Sequence, residues 1–426
     1  MSATTRHVIV GGSAAGMAAA QAIAETDPGA SITVFSDEKV RPYFRPMIPY
    51  VISGTKQLDE LLLEGRGPYR AGGIDVRLDS PVEAVDTAHR TVRAGGESHP
   101  YDRLLLATGS RARVPRDLAG AGAEGVYTLR YYSDAQGMAA RCTTAKRAVM
   151  AGGGLLNLKA TFALRERGVD VTLVVSSPAI LSQLMEPEDS ALLREAILAA
   201  GVKIVAGTSV KGVLSGKDGV TGVALDGGKE LPCDLVCIGK GVKPIVDYLV
   251  GSGIALERGI VVDRHCETSA PGVFAAGDVG VTHNPITGEP VVTGLWTNAA
   301  EMGRCAGRNM AGARTAYSGT FGILNATQIG TLPFVSMGIV HTGAGGYETH
   351  VASAPGQYRK VVFSPDGARL VGAIFIGSIE RAGLYRYIIR ESRPIAKIKD
   401  KMLSHTLHYG DLMPSSPRHA STGTGG

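Results

Sequence analysis

Residues 6–25 read RHVIVGGSAAGMAAAQAIAE and dictate the topology of the N-terminal part of the chain. A β-branched apolar run is followed by a glycine-rich turn and an alanine-rich helix, and a second apolar run, SITVF, occupies residues 31–35. Strands and helices that alternate at this spacing build a parallel sheet with right-handed crossovers. The segment therefore predicts an α/β unit with a buried parallel sheet.

The turn in this segment departs from the dinucleotide-binding fingerprint G-x-G-x-x-G at one position. It consists of Gly11, Gly12, Ser13, Ala14, Ala15 and Gly16. Ser13 is still small enough for a pyrophosphate to approach the free amides at the positive end of the following helix. Asp37 and Glu38 come after the second strand, where a carboxylate would accept hydrogen bonds from an adenosine ribose. The alternative is that the glycines serve only helix packing, but strand, turn, helix and acid all occur in order.

Residues 146–177, KRAVMAGGGLLNLKATFALRERGVDVTLVVSS, repeat this design. Their turn consists of Gly152, Gly153, Gly154, Leu155, Leu156 and Asn157. Asn157 takes the place of the third glycine, and we expect it to fit helix–strand packing less closely. The second strand ends at Ser176 and Ser177, without an acid or an arginine for the ribose, so the choice between NAD and NADP stays open. The alternative to a second dinucleotide site is a degenerate domain kept as a scaffold.

Composition limits the class of protein. The 426 residues are between two and three times the common domain size of ~150 residues, and 57 glycines indicate many tight turns. The net charge is +5, and the sequence contains no block of like charges, so nucleic acid is not an expected partner. No apolar run approaches the ~18 residues of a membrane span. Five cysteines without a CxxC pair indicate a reduced protein. We expect a cytoplasmic location, no membrane span and no metal site.

Two further apolar runs end at glycine turns. These ends are Ala107, Thr108 and Gly109, and then Ala275, Ala276, Gly277 and Asp278. Together with the paired dinucleotide turns, these motifs resemble the FAD-dependent pyridine nucleotide–disulfide oxidoreductase superfamily over roughly residues 6–395. The resemblance implies an α/β fold with two Rossmann-like dinucleotide-binding domains, glutathione-reductase-like, in which the NAD domain interrupts the FAD domain. It also implies a small α+β C-terminal interface domain.

The implied domain boundaries follow the motifs. They are 1–115 and 244–315 for the FAD-binding domain, 116–243 for the NAD(P)-binding domain, 316–400 for the interface domain and 401–426 for a tail. Within the tail, the last stretch, residues 413–426, is rich in Pro, Ser, Gly and Thr, so we expect that stretch to be untethered or ordered by a partner. The tail's two nearby histidines, His405 and His408, are not expected to bind metal.

The resemblance assigns cofactor contacts residue by residue. Those assigned to FAD are Gly11, Gly12, Ser13, Ala14, Ala15, Gly16, Asp37, Glu38, Arg45, Pro46, Ala107, Thr108, Gly109, Gly277, Asp278, Trp296, Thr297 and Asn298. Those assigned to NAD are Gly152, Gly154, Leu155, Asn157, Ser176 and Gly239. The helix that begins near Trp296 would point its N-terminus, with about +0.5 of a charge, at the flavin pyrimidine and raise its reduction potential. The alternative is an ordinary amphipathic helix with an asparagine cap.

Residues 41–54, RPYFRPMIPYVISG, are similar to the PYxRPxLSK run of rubredoxin-type and ferredoxin-type reductases. The similarity would place Arg45 along the FAD phosphates or ribose and Pro46 against the isoalloxazine. The lysine that those reductases keep near flavin N5 corresponds to Tyr50, and its glutamate partner corresponds to Lys159. Our hypothesis is that Lys159 supplies the cation beside N5, and the alternative is a solvated helix lysine.

The position of the cysteines separates branches of the superfamily. Thiol-dependent members need a reactive cysteine in the N-terminal unit, whereas the first cysteine here is Cys142. Electrons are therefore expected to leave the flavin directly. The segments RPMIPYVISG, GLWTNAAEMGR, ILNATQIGTLPFVSMGI and LVGAIFIGSIERAGLYRYIIRE resemble flavin subunits of multi-subunit oxidoreductases, notably phenylglyoxylate dehydrogenase and tungsten-dependent aldehyde oxidoreductases.

This closer resemblance implies an FAD subunit that passes electrons between NAD and an iron–sulfur electron-transfer subunit, with a catalytic aldehyde or 2-oxoacid oxidoreductase subunit beyond it. A free-standing NAD(P)H:ferredoxin or rubredoxin reductase and a non-enzymatic flavoprotein scaffold remain the alternatives. In the C-terminal region we predict a hairpin around Asp366 and a helix from Ser378 until Pro394. That region would form a homodimer interface, meet the iron–sulfur partner, or only pack on its own hairpin.

Overall fold

The structure is a computed structural model. It describes residues 4–64, 73–343 and 345–413. The chain divides into two compact units, which are described separately below. The first comprises Met1–Leu324 and Gln328–Leu332, and the second comprises Asn325–Thr327 and Pro333–Gly426. Among the described residues, no helix is both long enough and apolar enough to cross a bilayer.

Helices account for a modest part of both units. In the first unit they are α1 (Ala14–Thr26), α2 (Pro49–Ser53), α3 (Tyr132–Arg141), α4 (Leu155–Glu166), α5 (Ala191–Ala199) and α6 (Trp296–Met310). In the second unit they are α7 (Ala382–Arg390) and α8 (Lys399–Leu403). Short 3₁₀ turns occur at Arg45–Met47, Asp59–Leu61, Pro187–Ser190, Asp247–Leu249 and Tyr409–Leu412.

The first parallel sheet carries the N-terminal strand at its centre. Its five strands lie in the order Val273–Ala275, Arg103–Leu106, Arg6–Val10, Ser31–Phe35 and Ile74–Arg77. All neighbours are parallel, with His7 opposite both Ile32 and Arg103. The strand run of residues 6–10 is almost wholly buried after Arg6, as expected for a parallel strand covered on both faces.

The second parallel sheet repeats this arrangement. Its strands lie in the order Lys203–Ala206, Asp170–Val175, Arg147–Ala151, Leu235–Ile238 and Val126–Tyr127, all parallel. In each sheet the strand before the glycine turn is central, and the strand after the following helix lies beside it. The prediction of two Rossmann-like α/β units is therefore confirmed.

Short antiparallel sheets surround the two parallel ones. They are Val82–Asp86 with Thr91–Ala94 and Glu97–Pro100, Val210–Gly216 with Gly219–Leu225 and Glu230–Pro232, and a small sheet of Ile260–Val261, Gly280–His283 and Pro290–Val291. The last of these is mixed, because Ile260–Val261 runs parallel to its neighbour. The alternation over residues 203–228 predicts only antiparallel strands. The prediction is wrong for Lys203–Ala206, which pairs in parallel with Asp170–Val175 at the edge of the second parallel sheet and is only partly buried there.

Two antiparallel strands connect the two dinucleotide-binding parts. Ser110–Ala112 leaves the first parallel sheet and pairs with Val242–Pro244, which follows the second sheet, so Arg111 lies opposite Lys243. The outgoing and returning segments thus run side by side. The residues between them contain the strands of the second parallel sheet and of the antiparallel sheet within residues 210–232.

Helices α1 and α6 pack unusually closely because α6 has glycines at the contact. A Cβ added at Gly303 would lie 2.1 Å from the Ala15 carbonyl oxygen, and one added at Gly307 would lie 2.5 Å from that of Ala19. Any side chain at these two positions would push the helices apart. The contact joins a C-terminal segment of the first unit to the turn that begins α1.

The second unit is built on an antiparallel sheet in the order Leu332–Gly338, Leu370–Ile376, Gln357–Phe363 and Glu348–Ala354. The division between the units falls within a further strand, Leu324–Ile329. The predicted hairpin turn is present, since the Gly367 amide donates to the Ser364 carbonyl.

Helix α7 is shorter at both ends than the apolar pattern predicts. It starts at Ala382 because Arg381 has a left-handed backbone, with φ of 62°. It ends at Arg390, and Ser392, with φ of 46°, prevents continuation to Pro394. Within the predicted tail, Leu407 is fully buried. The tail residues after 413 lie outside the described residues.

Candidate dinucleotide and hydride-transfer site

The first glycine turn has the geometry of an anion cradle. Gly11 has φ of 116°, and a Cβ there would lie 2.2 Å from the Ala107 carbonyl oxygen. A Cβ at Gly16 would lie 1.8 Å from the Gly11 carbonyl oxygen. Ser13 caps α1 without a side-chain hydrogen bond, so the first amides of the helix stay open to a ligand. These features fit the pyrophosphate of a dinucleotide.

A partly buried charge network lies beside this turn. Glu38 forms an ion pair with Arg45 and accepts a hydrogen bond from the Tyr43 hydroxyl at 2.8 Å. Arg45 also donates to the Arg130 carbonyl at 2.6 Å. Burial raises the pKa of Tyr43, so the phenol stays protonated and remains a donor. Glu38 thus orients Arg45, while Asp37 beside it is exposed.

A second polar network lies near the carboxyl ends of the strands of the first parallel sheet. The Asp278 carboxylate accepts hydrogen bonds from the Ser110 hydroxyl at 2.7 Å and from Arg130 at 3.1 Å. Arg130 also donates to the Ser110 carbonyl at 2.7 Å. The Thr108 hydroxyl is not part of this network and donates to the Ile245 carbonyl at 2.9 Å. Gly109 and Gly277 both have left-handed backbones, which places these polar groups at sharp turns.

Sequence reasoning missed Arg130 and Ser110. Ser110 directly follows the ATG strand end and could have been noticed there. Arg130 belongs to no motif, and its contact with Asp278 joins residues far apart in the chain. Nothing in the local pattern marks it.

The N-terminus of α6 is open. Leu295 is the cap residue and makes no side-chain cap, so the alternative of an asparagine cap is wrong. Asn298 is buried instead and donates to Thr293 at 3.3 Å and to Thr320. Trp296 packs edge-on against Phe44, with ring centroids 4.6 Å apart. The positive end of α6 is therefore free for an anionic group, and Thr297 is exposed beside it.

The second glycine turn accommodates Asn157 in an unexpected way. Asn157 is buried, and its amide donates to the Gly152 carbonyl at 3.0 Å. Its oxygen faces the Cys237 thiol, with Sγ at 3.5 Å. A Cβ at Gly239 would lie 2.3 Å from the Asn157 amide. The prediction of a looser fit is therefore corrected: Asn157 fills the position because Gly239 has no side chain.

Both predicted catalytic residues line one cavity of the first unit. The cavity has a volume of about 670 Å³ and lies among α2, α4 and α5. The ammonium of Lys159 lies 5.9 Å from the centre of the Tyr50 ring. Burial lowers the pKa of Lys159. Among the described residues Lys159 makes no ion pair, although Glu166 lines the same cavity.

The five cysteines lie away from this cavity. All are buried and free, and none is among the residues lining it. Burial raises the pKa of Cys233 to about 12 and also raises that of Cys142. The pKa of Cys305 is lowered by a hydrogen bond from Cys266, but Cys305 is buried in the core of the first unit. Among the described residues no group of three or more histidine, cysteine or acidic side chains could hold a metal ion.

The two parallel sheets each carry a glycine turn, and paired strands connect them. This arrangement defines the class of flavin oxidoreductases that bind two dinucleotides. The chain belongs to the pyridine nucleotide-disulphide oxidoreductase family, whose family model matches residues 5–303. It is an FAD-dependent oxidoreductase that uses a nicotinamide dinucleotide.

Individual relatives cover between two thirds of the chain and nearly all of it. The NADH-dependent phenylglyoxylate dehydrogenase subunit epsilon of Aromatoleum evansii is 28% identical over 413 residues, covering 95% of this chain and 96% of that one. A probable ferredoxin reductase of Castellaniella defragrans is 31% identical over 290 residues, covering 67% and 70%. The solved NAD-dependent persulfide reductase from A. fulgidus matches with a TM-score of 0.86 and 26% identity, covering 93% and 79%.

Proposed function

We propose that the chain is the flavin subunit of a larger oxidoreductase, passing electrons between NAD and an iron–sulfur electron-transfer subunit. A catalytic subunit that oxidises an aldehyde or a 2-oxoacid would supply those electrons. The likeness to the epsilon subunit of a dehydrogenase, over 95% of this chain and 96% of that one, carries this proposal. When bound, the flavin exchanges a hydride with nicotinamide and single electrons with the iron–sulfur partner.

The arrangement of charged side chains supports the two binding roles. The open turn at Gly11 and the uncapped start of α1 would hold the FAD pyrophosphate. Arg45, fixed by Glu38, and Arg130, fixed by Asp278, would hold the polar middle of the cofactor. The N-terminus of α6 would neutralise the negative charge of the reduced ring.

The second turn and the adjoining cavity would receive the nicotinamide dinucleotide. The open position at Gly154, where an added Cβ meets no atom within 4 Å, would admit its pyrophosphate. Leu155 and Asn157 belong to the first turn of α4, and Ser176 is exposed just after the neighbouring strand. Lys159, two residues beyond Asn157, would place a positive charge in the cavity where the hydride is transferred.

The position of the cysteines supports direct electron transfer. A thiol route needs a thiolate that is accessible to the acceptor. Here no cysteine precedes Cys142, and all five are buried. Electrons would therefore pass between the partner and the flavin without a covalent thiol intermediate. An iron–sulfur subunit that exchanges single electrons with the flavin is consistent with this route.

The proposal is tested by isolating the tagged chain anaerobically from its native host and identifying co-purifying proteins by mass spectrometry. A stoichiometric complex with an iron–sulfur chain is expected. A lone protein that is fully active as an NADH dehydrogenase with artificial dyes would contradict the complex. Anaerobic mixing with NADH is the second readout, because a flavin that stays oxidised would leave only the scaffold role.

A free-standing NAD(P)H:ferredoxin or rubredoxin reductase is the second candidate. The relative from Castellaniella defragrans, a probable ferredoxin reductase at 31% identity, favours it. In that case the isolated chain would reduce a ferredoxin or rubredoxin at full rate without any further subunit. Steady-state assays with both proteins, set beside the isolated complex, separate the two functions.

A further inference from the structure

The second unit contains a cavity that the electron-transfer function does not use. Its volume is about 200 Å³, and its walls come from the strand ends near Ala354 and Gln357, from α7 and from the segment around His405. Two of its lining side chains carry positive charge, Arg359 and Arg381. Burial and these two charges lower the pKa of His405, which lines the same cavity and is held in its neutral form. The cavity is therefore small, with a partly apolar lining that carries two arginines.

Arg359 is the central feature of this cavity. Its side chain is only 8% exposed and lies between two rings, 5.7 Å from the centre of Phe375 and 5.0 Å from that of Tyr385. The guanidinium donates to the Tyr385 hydroxyl at 2.6 Å and to the Met402 carbonyl. Both acceptors are neutral. Among the described residues no carboxylate pairs with Arg359.

A buried guanidinium without a counter-charge is energetically costly. Removing a charge from water is repaid only when an opposite charge or a full set of hydrogen bonds replaces the solvent. Burial accordingly lowers the pKa of Arg359, with Tyr385 acting in the opposite direction. An anion in the cavity would supply the missing charge, and guanidinium groups bind planar oxyanions through paired hydrogen bonds.

Other groups around the cavity add positive potential. Arg381 lines it and is also the cap residue of α7, where it makes no side-chain cap. The first turn of α7 contains no acidic residue, so the positive end of this helix is uncompensated. His405 lines the cavity, and Arg381 donates to its carbonyl oxygen. Glu380 is the acid in the lining, but it is exposed and pairs with neither arginine among the described residues.

We propose that this cavity binds a small oxyanion, a phosphate or a carboxylate group, between Arg359 and Arg381. The volume suits a single phosphoryl or carboxylate group rather than a dinucleotide, since pockets for larger ligands span ~300–1,000 Å³. The site lies within the second unit and is independent of the flavin chemistry.

The test is calorimetric titration of the FAD-loaded full chain with inorganic phosphate and, separately, with acetate. NAD⁺ is kept saturating to fill the dinucleotide site, and chloride keeps the ionic strength constant. One saturable site is expected. Replacing Arg381 with asparagine, which tolerates the left-handed backbone, should weaken binding at least about tenfold. Replacing Arg359 with glutamine should abolish it.

The matched control is Arg90→Asn, because Arg90 is an exposed arginine with φ of 53° in the first unit. It removes the same charge from the same backbone conformation and should leave binding unchanged. Saturation by phosphate alone identifies a phosphoryl ligand, and saturation by acetate alone identifies a carboxylate. The proposal is overturned if neither anion saturates, or if Arg381→Asn binds as tightly as the wild type. Anion binding by the Arg381→Asn variant tests the proposal even if Arg359→Gln does not fold.

Discussion

Replacing Gly239 with alanine should destabilise the second dinucleotide-binding part. The new Cβ would lie 2.3 Å from the Asn157 amide, inside the 3.0 Å that real Cβ contacts respect. Asn157 cannot simply swing away, because its amide group bonds the Gly152 carbonyl and faces Cys237. The substitution must therefore shift α4 or break a buried hydrogen bond.

The size of the effect follows from these two costs. Overpacking a tight core costs about 1–3 kcal/mol. A buried polar group that loses its partner costs a further ~1–3 kcal/mol. We expect Gly239→Ala to lower the free energy of unfolding by about 2–5 kcal/mol. Asn157→Ala removes the obstructing amide, so the double variant should be more stable than the sum of the two single losses, by ~1–2 kcal/mol.

Urea denaturation of the four proteins of this cycle measures the coupling directly. Gly122→Ala is the matched control, since Gly122 has no atom within 4 Å of an added Cβ, and it should change stability by less than about 0.5 kcal/mol. If Gly239→Ala unfolds at the wild-type midpoint, or if the two single losses add without rescue, the packing argument is refuted.

Three further predictions concern charge. Lys159→Met should slow flavin reduction by NADH about tenfold in anaerobic stopped flow. The control Lys217→Met, at an exposed lysine, should leave the rate unchanged. Equal rates for wild type and Lys159→Met would exclude Lys159 from hydride transfer. Arg45→Met removes the ion-pair partner of Glu38 and should lower the free energy of unfolding by up to about 3–5 kcal/mol. The variant should also lose FAD on gel filtration. Full retention of FAD would contradict a role of Arg45 in cofactor binding. Burial lowers the pKa of His7, so stability should fall as pH drops below ~6.5, by up to ~1.4 kcal/mol per pH unit. His7→Phe should flatten that slope in denaturation curves at a series of pH values.

Local patterns predicted the parts of the fold that local chemistry controls. The run of residues 6–25 and its repeat at 146–177 both form a strand, a turn and a helix, because their apolar β-branched runs and glycine turns mark these elements in the local sequence. The start of α7 was not predictable, since the apolar spacing continues back through Arg381, whose left-handed backbone ends the helix. Lys203–Ala206 likewise depends on which edge the sheet leaves open.

The site is less predictable because its contacts join distant segments. Asn157 is an obvious departure from the fingerprint, but only the structure shows that Gly239 makes room for it. Arg130 meets Asp278 from a segment without any motif. Motifs report backbone shape near a turn, whereas the side chains that orient each other across the site come from separate parts of the sequence.

The glycine contact between α1 and α6 also bears on how the protein is made. Gly303 and Gly307 reach Ala15 and Ala19, so the helix that follows the first dinucleotide turn lacks its packing partner until the ribosome has passed residue 307. The strands of the second parallel sheet, from Val126 to Ile238, are contiguous in the chain and can assemble earlier. Pairing across such a long separation is slow. The part between Val126 and Ile238 should therefore fold first during synthesis, and the flavin should bind last.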